Sequence, residues 1–380
     1  MSFLLNAPRA GLQTELNAFF DHALAENAAR TVSKSAFCQA RRDLNPDALR
    51  SLLSCSARLI AEHHPAAQWH QRRVVAIDST TLRVPNVPEC AQHFGGMRTS
   101  CGKYRPLARA SALLDVARGC FVDAVIGGLA SDDRTLAARH LDALSPHDLL
   151  VMDRGYPSRD WFNALNTRGI SFCARISTAR WRAVTNFARG NLDDAIVDLG
   201  TPDTTLPLRL VRHVSPNGAE LVMATNVLDA SIIAADFADL YHSRWRIEEA
   251  FKILKARLQV ENWSGRLPHT VLQDFFAALV RVNCAAALTL DLQQEAPCAL
   301  ATTPLKANGW RSKLNATLIL KALRHYLPRL LLNIDVAITT QKLIARLRAP
   351  GSFEHTRPDR KAPRPKGVRI AGFHPAYKAA

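Results

Sequence analysis

Leu240-Tyr-His-Ser-Arg-Trp-Arg-Ile-Glu-Glu-Ala-Phe-Lys-Ile-Leu-Lys-Ala-Arg-Leu258 is the stretch that decides how this chain is read. Within it Tyr241, Arg244, Glu248 and Lys255 recur at offsets of three, seven and fourteen. At ~100° per residue these four side chains fall within an arc of about 60° on one helix face. A second stripe, Leu240, Ile247, Phe251, Leu254 and Leu258, has core-facing spacing. The helix therefore packs through one stripe and presents, through the next, one carboxylate flanked by cationic and phenolic groups. Charges on a helix flank more often form a solvated face, and Arg244 with Glu248 is an ordinary i,i+4 pair giving ~0.2–0.5 kcal/mol. The rest of the chain decides between these readings.

Two further carboxylates follow short apolar runs. Val74-Val-Ala-Ile77 ends in Asp78, and Leu149-Leu-Val-Met152 ends in Asp153. Acids at the carboxyl ends of buried strands lie at the sheet rim, where open α/β sheets keep their sites. Together with Glu248 they supply hard oxygen ligands of the kind that hold divalent cations. Two such ions, ~3.5–4 Å apart, clamp the attacking and leaving oxygens of a phosphoryl displacement. Asp after a strand is also common turn chemistry. Asp115, Asp123, Asp132, Asp133 and Asp148 are nearby alternatives. Asp115 reads as hairpin-turn chemistry and Asp132 and Asp133 as helix-start residues.

The surroundings read as α/β. Residues 107–128 form two strands around Asp115-Val-Ala-Arg-Gly119, and a helix follows from about Ser131 to Leu144. A helix at about 158–168 and a strand at about 171–176 come after Asp153. Turn signals at Gly190-Asn191, Gly200-Thr-Pro202 and Pro216-Asn-Gly218 mark a β insertion over about 177–220. Residues 1–70 are helical, with Ser33 or Ser35 as a cap and Pro46 at the start of a third helix. Lys34, Arg41 and Arg42 fit a DNA-contacting bundle there, and a packing module with a basic edge fits equally well. Residues 266–348 are helical again. The stretch 349–380 carries Arg357, Arg360, Lys361, Arg364, Lys366 and Arg369 among prolines and reads as disordered in isolation.

Across all 380 residues, 49 Lys and Arg stand against 33 Asp and Glu, a formal net charge of +16. That balance points to a polyanion, nucleic acid ahead of an anionic membrane surface. The eight cysteines show no C-x-x-C pairing and read as small buried hydrophobes. Met-Ser-Phe-Leu-Leu-Asn at the start lacks the marks of a signal peptide, and the apolar stretch Phe275–Leu292 contains Arg281 and Asn283. The expectation is a cytoplasmic, nucleoid-associated protein with no membrane partner.

The pattern Tyr241-x2-Arg244-x3-Glu248-x6-Lys255 resembles the signature of the insertion sequence 4 family of bacterial DDE transposases. Ala76-Ile-Asp-Ser-Thr, Met152-Asp-Arg-Gly-Tyr156, Ala224-Thr-Asn226 and Trp263-Ser-Gly-Arg-Leu-Pro-His269 look like the same family, in order, from about residue 30 to 345. The resemblance implies a ribonuclease H-like catalytic core over about 71–265, flanked by the N-terminal helical domain and the C-terminal helices. It implies Asp78, Asp153 and Glu248 as the catalytic, metal-binding triad for two Mg²⁺ ions, or Mn²⁺ in their place. Tyr241, Arg244 and Lys255 would then contact the DNA around the scissile phosphate. It further implies double-stranded DNA as partner, both as element ends and as target, and a homodimer bridging the two ends. Some relatives hold a flipped base with a tryptophan of the β insertion; Trp181 lies near its start here, which counts against that role. Two other functions remain open: a related two-metal nuclease that cuts without joining, and an inactive DNA-binding descendant.

Overall fold

The computed structural model describes residues 1–6, 11–23, 32–201, 205–214, 218–295 and 311–356. The basic stretch from residue 357 onward lies outside them, as does Cys298. The chain divides into two compact units. One holds Met1–His64, Arg83–His93 and the chain from Lys252 onward; the other holds Pro65–Leu82 and Phe94–Phe251. The helical regions expected at the two ends of the sequence thus fall in a single unit.

The second unit is built on a mixed sheet of nine strands: β1 (Arg73–Arg83), β2 (Gly96–Arg98), β3 (Tyr104–Asp115), β4 (Cys120–Gly128), β5 (Asp148–Met152), β6 (Ser171–Arg175), β7 (Asp194–Asp198), β8 (Pro207–Val214) and β9 (Glu220–Thr225). Their order is β2-β3-β1-β5-β6-β9-β8-β7, with β4 beside β3. β1, β5 and β6 are parallel; β9, β8 and β7 continue the sheet antiparallel. β5 is central, which is why Leu149, Leu150, Val151 and Met152 form an unbroken apolar run: both faces of the strand are covered.

Strand parity sorts those residues onto two cores. Val75, Ile77, Leu150 and Met152 meet Trp161, Phe162 and Leu165 of the helix Arg159–Thr167 on one face. There the Phe162 and Phe172 rings stack 4.4 Å apart. Leu149 and Val151 meet Phe237, Leu240 and Tyr241 of the helix Ala234–Ser243 on the other. Each fully buried aliphatic side chain contributes about 1.5–3 kcal/mol. Asp78 shares the parity of Val74, and Asp153 that of Val151, so both acids follow the face that the helix Ala234–Ser243 covers.

Three departures from the sequence reading matter. β1 does not stop at Asp78 but continues to Arg83, although its pairing with β5 ends at Ala76. The segment expected as pure β insertion contains the helix Arg182–Arg189 before β7 and β8. The helix quoted at the outset is segmented: Ala234–Ser243 ends at Arg244, Trp245–Lys252 follows, and Ile253–Arg257 is a π-helical turn. At the joint Arg244 donates its backbone N–H to Tyr241 and accepts from Ile247, both three residues apart. These tighter bonds, and the wider π turn, break the even 100° spacing that the sequence suggests. The apolar stripe survives: Leu240, Ile247, Phe251, Leu254 and Leu258 are all buried.

In the first unit the helix Pro268–Glu295 packs on the helix Pro46–His63. The latter starts at Pro46 as expected, and Asn45 caps it. Pro268–Gln293 is long and apolar enough to cross a membrane, with mean hydropathy 1.6. It is the core helix of its unit: Phe275, Leu279, Arg281 and Asn283 are fully buried, Arg281 donates to the Leu320 carbonyl, and Asn283 to Ser56.

Candidate active site

Asp78, Asp153, Tyr241, Arg244 and Glu248 all lie in the second unit. Arg244 ties two of the three acids together. Its guanidinium donates to Glu248 at 2.8 Å and stands 3.6 Å from Asp78. It is only 7% exposed and lies over the rings of Tyr241 and Trp245. A buried guanidinium shared by two carboxylates is no longer an ordinary surface pair, because low polarity strengthens each contact. Its Nε is buried without a partner among the described residues.

Asp78 is held by the Ser79 backbone N–H at 2.8 Å. Burial pushes its carboxyl up to about 6; the Ser79 bond and Arg244 pull it down, while Asp153 and Glu248 push it higher. Asp153 is fixed by its own loop: the Gly155 N–H donates to it at 2.7 Å. A Cβ at Gly155 would sit 3.1 Å from that carboxylate oxygen, so the glycine lets the backbone close on the acid. Burial also raises the Tyr241 phenol, against the pull of Arg244 and Arg175.

A fourth carboxylate joins this neighbourhood. Asp132 caps its helix by accepting from the Thr135 N–H, and that leaves Asp133 free to turn elsewhere. Asp133 accepts from the Ser79 hydroxyl at 2.6 Å and pairs with Arg109 at 3.3 Å. Reading Asp133 as a helix-start residue was a correct placement with an incomplete role. The doublet Asp132-Asp133 carried the signal, since one helix end needs only one cap. Tyr156 is fully buried, its hydroxyl has no partner among the described residues, and its phenol is raised well above its ordinary range by burial and by Asp78, Asp133 and Asp153.

The donor set is that of a hard divalent cation: three carboxylates on one face, oxygen only. Among the described residues no three acidic, His or Cys side chains converge closely enough to hold an ion as they stand. Arg244 occupies the gap between Asp78 and Glu248, so the donors fit in chemistry while the cation between them is a guanidinium.

Residues 69–284 match the family model described as "Transposase DDE domain". The chain belongs to that family. It is 24% identical over 267 residues to the "Transposase InsG for insertion sequence element IS4" of Escherichia coli (strain K12), covering 66% of this chain and 60% of the relative. It is 27% identical over 220 residues to the "Putative transposase y4zB" of Sinorhizobium fredii (strain NBRC 101917 / NGR234), covering 54% and 57%. The chain thus spans little more than half the length of these relatives. A solved piggyBac transposase synaptic complex with hairpin DNA aligns with a TM-score of 0.45 at 12% identity, over 92% of this chain and 72% of that one.

Not every segment that resembles the DDE family carries chemistry. Asn226 accepts from the Phe172 N–H and donates to Asn166 and the Ile170 carbonyl, clasping β6 and its preceding turn. Ser264 accepts from Arg41, and both bind Asp274. Arg41, expected at DNA, is corrected here. It is 5% exposed and also bonds Gln273 and the Thr270 carbonyl, so its guanidinium is wholly engaged inside its own unit. Lys34 and Arg42, on the same helix Lys34–Asp43, are exposed. Lys255 falls in the first unit, where burial lowers its ammonium against the opposing pull of Glu261.

Proposed function

We propose that this chain is a DNA transposase that cleaves the ends of an insertion sequence and joins them to target DNA. The observation that carries the reading is the buried Arg244 shared by Asp78 and Glu248, beside Asp153, within the matched DDE domain. Asp78, Asp153 and Glu248 would hold two Mg²⁺ ions, or Mn²⁺ in their place. Bound there, the ions would supply Lewis-acid stabilisation of the attacking and leaving oxygens. Asp78 must be ionised to bind a hard cation, so its raised value makes cation binding compete with a proton. Arg244 balances the carboxylate charge and offers its remaining N–H groups to a phosphate. Tyr241 supports that guanidinium from below, and Lys255, Lys34 and Arg42 would add contacts to the DNA backbone, which fix register without reading sequence. By the family resemblance a second copy would hold the other DNA end.

The test uses purified protein and DNA flanking its own gene, with Mg²⁺ or Ca²⁺, read on a denaturing gel. End-specific cleavage and joined products are expected for wild type with Mg²⁺ only, and Glu248→Gln is expected to bind DNA without joining it. Normal joining by Glu248→Gln would remove that residue from the triad. Cleavage without joining would mean a nuclease, and bound but uncut DNA a protein that retains only the binding.

A further inference from the structure

A cleft in the second unit gathers four arginines, Arg134, Arg159, Arg180 and Arg182, against one acid, Asp160, with Trp181 between them. None of the four forms a salt bridge among the described residues, although Asp132 lies near Arg134 and accepts from its backbone N–H. Two are fixed in place. Arg159 donates to the Leu199 carbonyl at 2.7 Å, and Arg180 donates to the Pro157 carbonyl at 2.8 Å while lying 5.1 Å over the Trp181 ring. Trp181 in turn packs against Phe162 of the core, 6.4 Å between ring centroids, so the indole is a platform for Arg180. Guanidinium groups held this way lose little freedom on meeting an anion and offer paired N–H donors that match a phosphate. The guanidinium groups of Arg134 and Arg182 make no hydrogen bond among the described residues, which leaves those donors for a ligand.

The cleft is continuous in sequence with the acids. Arg134 follows Asp133, whose carboxylate reaches Ser79 beside Asp78, and Ser158 and Arg159 lie just past the turn that fixes Asp153. We infer that this cleft holds the phosphodiester backbone of duplex DNA next to the bond being cut; the inference rests on the transposase reading above. Bound phosphates would relieve the mutual repulsion of the four guanidinium groups, and the site reads no base.

The double variant Arg134→Ala/Arg182→Ala removes the two guanidinium groups that make no hydrogen bond among the described residues, and Arg139→Ala/Arg189→Ala removes equal charge from exposed positions outside the cleft. Fluorescence anisotropy with a labelled duplex of the gene's own flanking DNA, titrated across salt concentrations, gives the slope of log affinity against log salt. The cleft variant is expected to reduce that slope by about 2, since each lost phosphate contact removes ~0.9, with the control pair unchanged. Arg182→Glu alone should also weaken binding, which covers the case of a poorly folded double variant. Equal slopes for wild type and cleft variants, or equal losses in both pairs, would overturn the cleft while leaving the transposase reading intact. A wild type that binds no duplex would overturn the transposase reading, and this inference with it. Binding of poly-glutamate that depends on the cleft, with DNA binding unaltered, would assign it to acidic peptides and overturn it too.

Discussion

Two hydrogen-bonded charge clusters sit in the same unit and behave oppositely. Around His140, one imidazole nitrogen meets Asp123 at 2.8 Å and the other meets Ser111 at 3.0 Å. All three residues are at most 3% exposed. It is the arrangement of a serine hydrolase, Ser-His-Asp, yet no substrate reaches it. The second cluster, Asp78–Arg244–Glu248, is looser, with contacts of 3.6 and 2.8 Å and side-chain exposures of 21% and 29% for the two acids. The closed cluster satisfies its polar atoms and staples β3 and β4 to the segment after their helix. The open one leaves part of each acid facing solvent, while burial of the rest raises the protonation point of Asp78. Residue types alone do not distinguish scaffold from site; access and incomplete satisfaction do.

Breaking each cluster should therefore give different phenotypes. The largest effect is expected from Asp78→Asn, which should lower DNA cleavage by about a thousandfold, ~4 kcal/mol on the barrier, as the loss of one ion ligand. Single-turnover cleavage on the gene's flanking DNA measures it, and near-normal rates would move the site elsewhere. Next, Asp123→Ala should reduce folding stability by about 3 kcal/mol in urea, because His140 loses a buried partner. Cleavage per folded molecule should hold; a selective loss of rate would make the His140 cluster functional.

The third prediction turns on pH. Asp78 has a folded-state value of about 6 against 3.8 for the free side chain. Its contribution to stability is thus fully present below 3.8 and is lost as pH rises through about 6. Without divalent ions, Asp78→Asn should melt higher than wild type at pH 7, by roughly 1–2 kcal/mol after allowance for partial exposure, with the gain shrinking as pH falls through the same window. Calorimetry at several pH values reads this directly, and a gain constant with pH would refute the raised carboxyl. The smallest effect belongs to Tyr156→Phe. The buried hydroxyl has no partner among the described residues, so its removal should leave stability unchanged or raise it by up to about 1 kcal/mol. A clear loss in urea would reveal a partner that ties Tyr156 to the acids.

How much of this was legible in the sequence follows from the range of each interaction. The β5 run, the turn at Asp115–Gly119, the helix start at Pro46 and the apolar stripe ending at Leu258 depend on neighbours a few residues away, and they appear where the pattern places them. Asp78, Asp153, Arg244 and Glu248 were visible as acids after apolar runs and as one helix face. Arg41 was misread because its partner Gln273 lies 232 residues away, and no local pattern carries that distance. The break at Arg244 and the π turn at Ile253–Arg257 come with neither Pro nor Gly to announce them, so no local signal marks them. Asp133 was missed because its partner Ser79 lies across the sheet, 54 residues earlier.

The guanidinium between Asp78 and Glu248 also bears on the order of events in the life of the chain. Domains whose structure depends on a metal remain unfolded until the ion arrives, so their maturation is tied to its supply. Here the compensating charge is encoded in the polypeptide, four residues from Glu248, and travels with it from the ribosome. The unit can complete its fold on an ion-poor chain and meet divalent cations later; chelation should then silence the protein and leave it folded.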